Sequence, residues 1–328
     1  DNLTPLRQLK ALTSQNTILY KPQTTYRIRW SMNPDTPLPQ EEPGGQNPPD
    51  GAMLDYYLKT KATGEVTLEI LNSQNQVIRK YSSNDKPYKI PEVNYPHYWI
   101  RPQQILSGEA GHHRFLWDLH YTPLNVDASF PMSAIYQNTA PEPSSPWVMP
   151  GEYTIRLTVN ARLPDGQGQS QTQKLTLKMD PRVTSTPDQL KEQHDLSLIC
   201  YEGRRKTLDA LAVATSLENQ LSKIASKPAV EKSLKDFQDQ LTKIKGSAGG
   251  FGGAAAGNTF NYVASSFNRL FDLMQESDMP VTSQTKAGVT EIQSASQKVM
   301  TDWNNFITNE LPRLNKELKK AGLPVLKQ

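Results

Sequence analysis

The feature that most limits how this chain can fold is a change of hydrophobic period at about Asp180-Pro181-Arg182. Before it, apolar and polar residues alternate, as in a strand with one buried face. After it, apolar residues return every three or four positions, as on one side of an amphipathic helix. A single element type cannot satisfy both periods, so the sequence predicts an α+β chain of two parts. At 328 residues each part is long enough to enclose its own core.

In the first part, Tyr26-Arg27-Ile28-Arg29-Trp30 and Val66-Thr67-Leu68-Glu69-Ile70-Leu71 alternate strictly. The cluster 72–76 separates the second run from Val77-Ile78-Arg79-Lys80-Tyr81, which predicts a hairpin. Further strands are expected at Ala52–Lys59, His112–Asp118, Gly151–Val159 and Gln173–Met179. Short strands divided by turn signals point to an antiparallel β-sandwich of immunoglobulin or fibronectin type. Two Pro-rich stretches, Asn33–Asp50 and Tyr121–Pro150, interrupt it and read as surface excursions.

The second part predicts four helices. Thr186-Pro187 supplies an N-cap and a first-turn proline for a helix carrying Leu190, Leu198, Tyr201, Leu208, Leu211, Leu221 and Ile224. The second runs from about Pro228 to Lys245, the third over about Thr259–Ser277, and the fourth opens at Pro280-Val281-Thr282. Four amphipathic helices of this length suit an antiparallel four-helix bundle.

Composition removes several functional classes. Thirty-six Lys and Arg stand against 33 Asp and Glu, a net charge of +3 spread along the chain, so no nucleic-acid surface is expected. No apolar run is long enough to span a membrane. The single Cys200 excludes an internal disulfide and a thiolate metal cluster, and beside Leu196, Ile199 and Tyr201 it reads as a buried small hydrophobe.

No catalytic, metal or cofactor constellation emerges. His112 and His120 would lie more than 20 Å apart on an extended strand at about 3.3 Å per residue, and His113 faces the other way. The run Gly246–Gly257 joins two helices and lacks the lysine and spacing of a phosphate loop. Among the carboxylates, Glu41, Glu42 and Glu142 fall in Pro-rich loops, Glu65 and Glu69 share a solvated strand face, and Glu152 lies on or beside another strand. None pairs as an acid and base. Aromatic residues are the better binding candidates: Tyr95, His97, Tyr98 and Trp99 form one group, and Trp147 sits in the second excursion. For Trp99 the alternatives are core packing, an interdomain contact or a ligand platform.

Several segments resemble large exported bacterial proteins with sortilin-like, BNR-type repeats, often labelled glycosyl hydrolases. Asp1-Asn2-Leu3-Thr4-Pro5-Leu6-Arg7-Gln8-Leu9 is similar to the end of their last propeller blade. Leu19-Tyr20-Lys21-Pro22, Pro48-Pro49-Asp50-Gly51-Ala52, Phe115-Leu116-Trp117-Asp118-Leu119, Pro280-Val281-Thr282 and Leu311-Pro312-Arg313-Leu314-Asn315 resemble later segments of the same proteins. Trp117-Asp118 with Pro150-Gly151-Glu152-Tyr153 is also similar to the immunoglobulin-like domain of flagellar hook-capping proteins.

The resemblance implies an N-terminal arm over 1–20, a sandwich over 21–182 and a helical bundle over 183–328. It implies a non-catalytic, secreted or periplasmic region, with no cofactor, whose partner is an N-terminal β-propeller of the same polypeptide. A glycan or another protein is a further partner class. The competing expectation is a carbohydrate-binding or glycoside-hydrolysing module that uses Trp99, Trp147 and Tyr98.

Overall fold

The structure, a computed structural model, describes residues 2–9, 15–29, 43, 49, 51–87, 89–90, 92–93, 95–100, 102–125, 144–160, 169–225, 227–247 and 257–328. Trp30, Glu41, Glu42, Glu142, most of both Pro-rich excursions and residues 248–256 of the glycine run lie outside these, as does the side chain of Trp99. The chain divides into two compact units, Asp1–Thr184 and Ser185–Gln328, the first built on sheets and the second all helical. The chain is thus α+β.

The first unit opens with a short helix, α1 (Thr4–Gln8). Eight strands follow: β1 (Thr17–Leu19), β2 (Thr25–Arg27), β3 (Ala52–Leu58), β4 (Val66–Leu71), β5 (Val77–Ser82), β6 (Gly111–Trp117), β7 (Gly151–Val159) and β8 (Gln169–Met179). They form a three-stranded sheet of order β1-β3-β6 and a five-stranded sheet of order β2-β8-β7-β4-β5. This strand order is that of an immunoglobulin-type Greek key. The pairs are antiparallel except β2 with β8, which is parallel, a departure from the all-antiparallel sandwich expected.

Alternation explains the layers. Leu54, Tyr56 and Leu58 of β3 and Phe115 and Trp117 of β6 point inward from the small sheet. They meet Val66, Leu68 and Ile70 of β4, Ile155 and Leu157 of β7, and Leu175 and Leu177 of β8 in one core. Trp117 is fully buried at its centre, edge-on to Tyr153 with ring centroids 5.5 Å apart. The Tyr153 hydroxyl donates to Met149 O at 2.6 Å, the backward tie of a tyrosine corner at the start of the sixth strand of such sandwiches.

The β4–β5 hairpin forms where alternation predicts it. Asn72 Oδ1 accepts from the amides of Gln74 and Gln76 at 3.0 and 2.9 Å, and Asn75 takes the left-handed conformation at φ 60°. Residues 17–20, assigned above to an N-terminal arm, instead belong to the sandwich: β1 pairs with β3, and Ile18, Leu19 and Tyr20 are buried.

The second unit holds α2 (Pro187–Leu221), α3 (Glu231–Lys245), α4 (Phe260–Gln275) and α5 (Ser283–Asn305). A π-helical turn at Phe306–Glu310 joins α5 to α6 (Leu311–Lys320). Thr186 caps α2 in a reciprocal box: its Oγ accepts from Gln189 N at 3.3 Å, and its own N–H donates to Gln189 Oε1 at 2.9 Å. Thr259 and Thr282 cap α4 and α5 from one side, each hydroxyl accepting from the amide three residues on.

The π turn has a local cause. Pro312 brings no N–H, and its ring would collide with a carbonyl of the preceding helical turn. Widening the helix so that Leu311 N donates to Phe306 O, five residues back, relieves that conflict. The same turn sets Phe306 against Phe237 and Trp303, with ring centroids at 4.5 and 5.9 Å.

Candidate functional site

After β6 the chain turns sharply, with Leu119 at φ 61°, a costly conformation for a leucine. The turn is held on both flanks: Trp117 Nε1 donates to His120 O at 3.0 Å, and His120 N donates to Asp118 Oδ1 at 3.2 Å. Residues 119–122 then lie antiparallel to 145–148. Val148 N donates to Leu119 O at 2.9 Å, Tyr121 N donates to Pro146 O at 3.0 Å, and His120 bridges Trp147. Both feet of the second Pro-rich excursion are thereby fastened together.

The opposite edges of the five-stranded sheet reach into this junction. Arg27, at β2, donates to Val148 O at 2.8 Å, and Arg79, at β5, donates to Tyr121 O at 3.0 Å. Both arginines are buried. The guanidinium of Arg29 lies 5.2 Å from the centre of the Trp147 ring, whose centroid is 4.2 Å from that of His120. Arg79 also approaches Asp118 at 3.8 Å and the face of Tyr81 at 4.8 Å.

His120 presents Nδ1 to Ser145 O. Burial holds its pKa below the ordinary value, aided by Arg29 and Arg79 and opposed by Asp118 and the Ser145 carbonyl. A neutral imidazole donating through Nδ1 fits this surrounding. The arrangement is chemically suited to locking backbone in place: its cations bind carbonyl oxygens, and its aromatic rings pack on each other.

Trp147 is therefore a half-buried residue lying against the sandwich core. Tyr98, in a 3-10 turn at His97–Trp99, is 64% exposed. Trp147 and Tyr98 are both placed, on separate segments of the sheet unit. His112 and His120 belong to separate groups because the turn at Leu119 ends the strand between them. His112 stacks on Tyr20 at 5.8 Å and lies tilted against Tyr57 at 4.7 Å, on the outer face of the small sheet, while His113 packs on Tyr56 at 5.0 Å. Among the described residues, no group of three or more His, Cys, Asp or Glu side chains is placed to hold a metal ion. Glu69 pairs with Arg156 at 2.7 Å across β4 and β7, and Glu65 accepts from Ser82 Oγ. Cys200 is fully buried in α2, and burial pushes its thiol up to about 12.

Sequence reasoning missed the arginines and His120 as members of one junction. The carbonyls they hold lie 25 to 121 residues away along the chain, so local pattern carries no signal for them. It also missed how residues 2–9 dock. Gln8 Nε2 donates to Lys21 O and Lys21 N donates to Gln8 Oε1, both at 3.0 Å, while Arg114 reaches Asn2 O at 3.3 Å.

Comparison with known proteins finds no matching family model and no matching curated protein. Among solved structures the chain is similar to CopC from Methylosinus trichosporium OB3b at 6% identity, over 51% of this chain and 98% of that one. The TM-score is 0.22, too low to carry an argument. No helix among the described residues is long and apolar enough to cross a membrane.

Proposed function

We propose that this chain is a non-catalytic structural and interaction region of an exported protein, in which the sandwich and an antiparallel four-helix bundle pack on and orient a β-propeller of the same polypeptide. The observation that carries this reading is α1 and its flanks. The segment is held to the sandwich by the Gln8–Lys21 pair and by Arg114, Pro5 is buried beneath it, and Leu3 and Leu6 remain 52% and 60% exposed. An apolar pair displayed on a fastened segment is suited to docking against a neighbouring apolar surface. Residues 1–9 are the stretch that resembles a last propeller blade. The competing carbohydrate-binding reading is supported by the exposed ring of Tyr98, but Trp147 is packed between His120 and Arg29.

Calorimetric titration of the upstream region of the same gene product, produced separately, into this chain tests the reading. We expect association that Leu3→Asp with Leu6→Asp abolishes while the melting temperature of the sandwich is kept. A glycan array run on the same protein decides the competitor. Micromolar glycan binding lost on Tyr98→Ala, with no association to the upstream region, would replace this function with a carbohydrate-binding one.

A further inference from the structure

At the end of α6, Gly322 takes the left-handed conformation at φ 68°. Leu323 N donates to Leu318 O at 2.9 Å and Gly322 N to Lys319 O at 3.2 Å, the paired bonds of a Schellman cap. The chain reverses there, and Pro324 prevents the helix from resuming.

The returning segment is gripped by side-chain amides instead of by backbone. Asn315 of α6 donates from Nδ2 to Leu326 O at 2.9 Å and accepts at Oδ1 from Leu326 N at 2.7 Å. Gln220, near the end of α2, donates from Nε2 to Lys327 O at 2.7 Å and accepts at Oε1 from Lys327 N at 2.9 Å. In an extended chain the N–H and C=O of one residue face one side and those of the next face the other. Two amides gripping consecutive residues therefore clasp one strand from opposite flanks, and the four backbone groups of Leu326 and Lys327 are all satisfied. The Leu326 side chain supplies an anchor and is only 4% exposed.

An amide clamp reads backbone and not sequence, while the leucine site reads one aliphatic side chain. This is the division of labour found in extended-peptide recognition. We propose that Gln220 of α2 and Asn315 of α6 frame a binding site for an extended peptide with a leucine anchor, filled in cis by residues 323–328 and able to take the same segment from a second copy of the chain. The seated sequence specifies the occupant, since every copy carries it. Exchange at a short hinge such as Gly322 is a low-cost route to a dimer.

The test uses a fluorescein-labelled peptide of residues 323–328 and a chain ending at Gly322, with its helical content checked by circular dichroism. Saturable anisotropy is expected for the shortened chain. Binding to the full chain should be weaker by about ten-fold or more, because the tethered segment competes at an effective concentration in the millimolar range. Asn315→Ala, Gln220→Ala or a peptide carrying Leu326→Asp should each reduce binding. A folded shortened chain that ignores the peptide at about 1 mM overturns the site, and so does binding that survives loss of both amides. Should the shortened chain not fold, the full chain with Leu326→Asp serves instead: peptide capture supports the site and its failure overturns it. For the exchange, light scattering of the concentrated full chain after brief warming should show a dimer that Leu326→Asp prevents. A chain that remains monomeric removes the second copy as occupant.

Discussion

The imidazole of His120 lies 4.2 Å, centroid to centroid, from the indole of Trp147, across the bridge that fastens the two feet of a long Pro-rich connection. Its Nδ1 donates to Ser145 O, and burial is what favours the neutral ring. Protonation would add a charge beside Arg29 and Arg79, with Asp118 as the nearby counter-charge.

The pH dependence follows from that asymmetry. In the unfolded chain the imidazole titrates near its ordinary value of about 6.5, and in the folded chain burial holds it lower. As pH falls through the unfolded value, the unfolded chain takes up a proton that the folded chain refuses, and stability drops. Above that value the contribution is complete. Urea unfolding followed by tryptophan fluorescence between pH 5 and 8 should show the midpoint of the sheet unit falling on acidification. His120→Gln, which keeps an amide donor for Ser145 O, should flatten that dependence. An unchanged dependence would remove His120 as its source.

Tyr153 and Trp117 are expected to contribute to stability unequally. Tyr153→Phe keeps the ring packed on Trp117 and deletes the donor to Met149 O, a part-buried hydrogen bond worth about 0.5–1.5 kcal/mol. Trp117→Ala empties the centre of the core and also frees His120 O from its indole partner, at a cost of about 3–5 kcal/mol. Calorimetry on both variants checks the order; a larger loss for Tyr153→Phe would contradict the core assignment.

What the sequence discloses depends on whether an element's burial is periodic. β4 and β7 announce themselves because inward Val66, Leu68 and Ile70 and inward Tyr153, Ile155 and Leu157 alternate with polar neighbours. β1 does not: Thr17, Ile18 and Leu19 are all buried, and only pairing with β3 makes them a strand. Polar residues over 169–173 likewise hide the first half of β8, where Gln171 and Gln173 hydrogen-bond the backbone of β1. The start of α2 was legible because Thr186 and Pro187 carry their own capping chemistry. The junction was not, since nothing near Arg27, Arg79 or Trp147 in sequence marks Val148, Tyr121 or His120 as partners. Asn315 and Gln220 look like any polar residue on a solvated helix face, and only the folded chain shows what they hold.

Gly203 sits within α2, where alanine would ordinarily gain about 1 kcal/mol of helix propensity. Here a Cβ would come within 2.4 to 2.9 Å of three ring carbons of Phe267, a side chain only 1% exposed. Overpacking of that kind costs about 1–3 kcal/mol, so it outweighs the propensity gain and Gly203→Ala is expected to lower stability. Phe267→Leu makes room at the same spot. The two substitutions together should therefore cost less than the sum of each alone, as a double-mutant cycle measures; strict additivity would show that the two helices can move apart freely.

Cys200 lies one turn before Gly203 on the same helix, fully buried, with its thiol pushed up to about 12. Two barriers then stand between it and a thiol reagent: access to the sulfur and ionisation to the thiolate. At pH 8 the folded chain should react with Ellman's reagent only as fast as the helical unit opens, and at once in denaturant. Labelling therefore reports the opening free energy of that unit. Gly203→Ala loosens the α2–α4 packing beside it, so the labelling rate should rise about ten-fold for each 1.4 kcal/mol of stability lost. A thiol that labels quickly in the native chain, or a rate indifferent to Gly203→Ala, would place Cys200 outside the packed core of that helix pair.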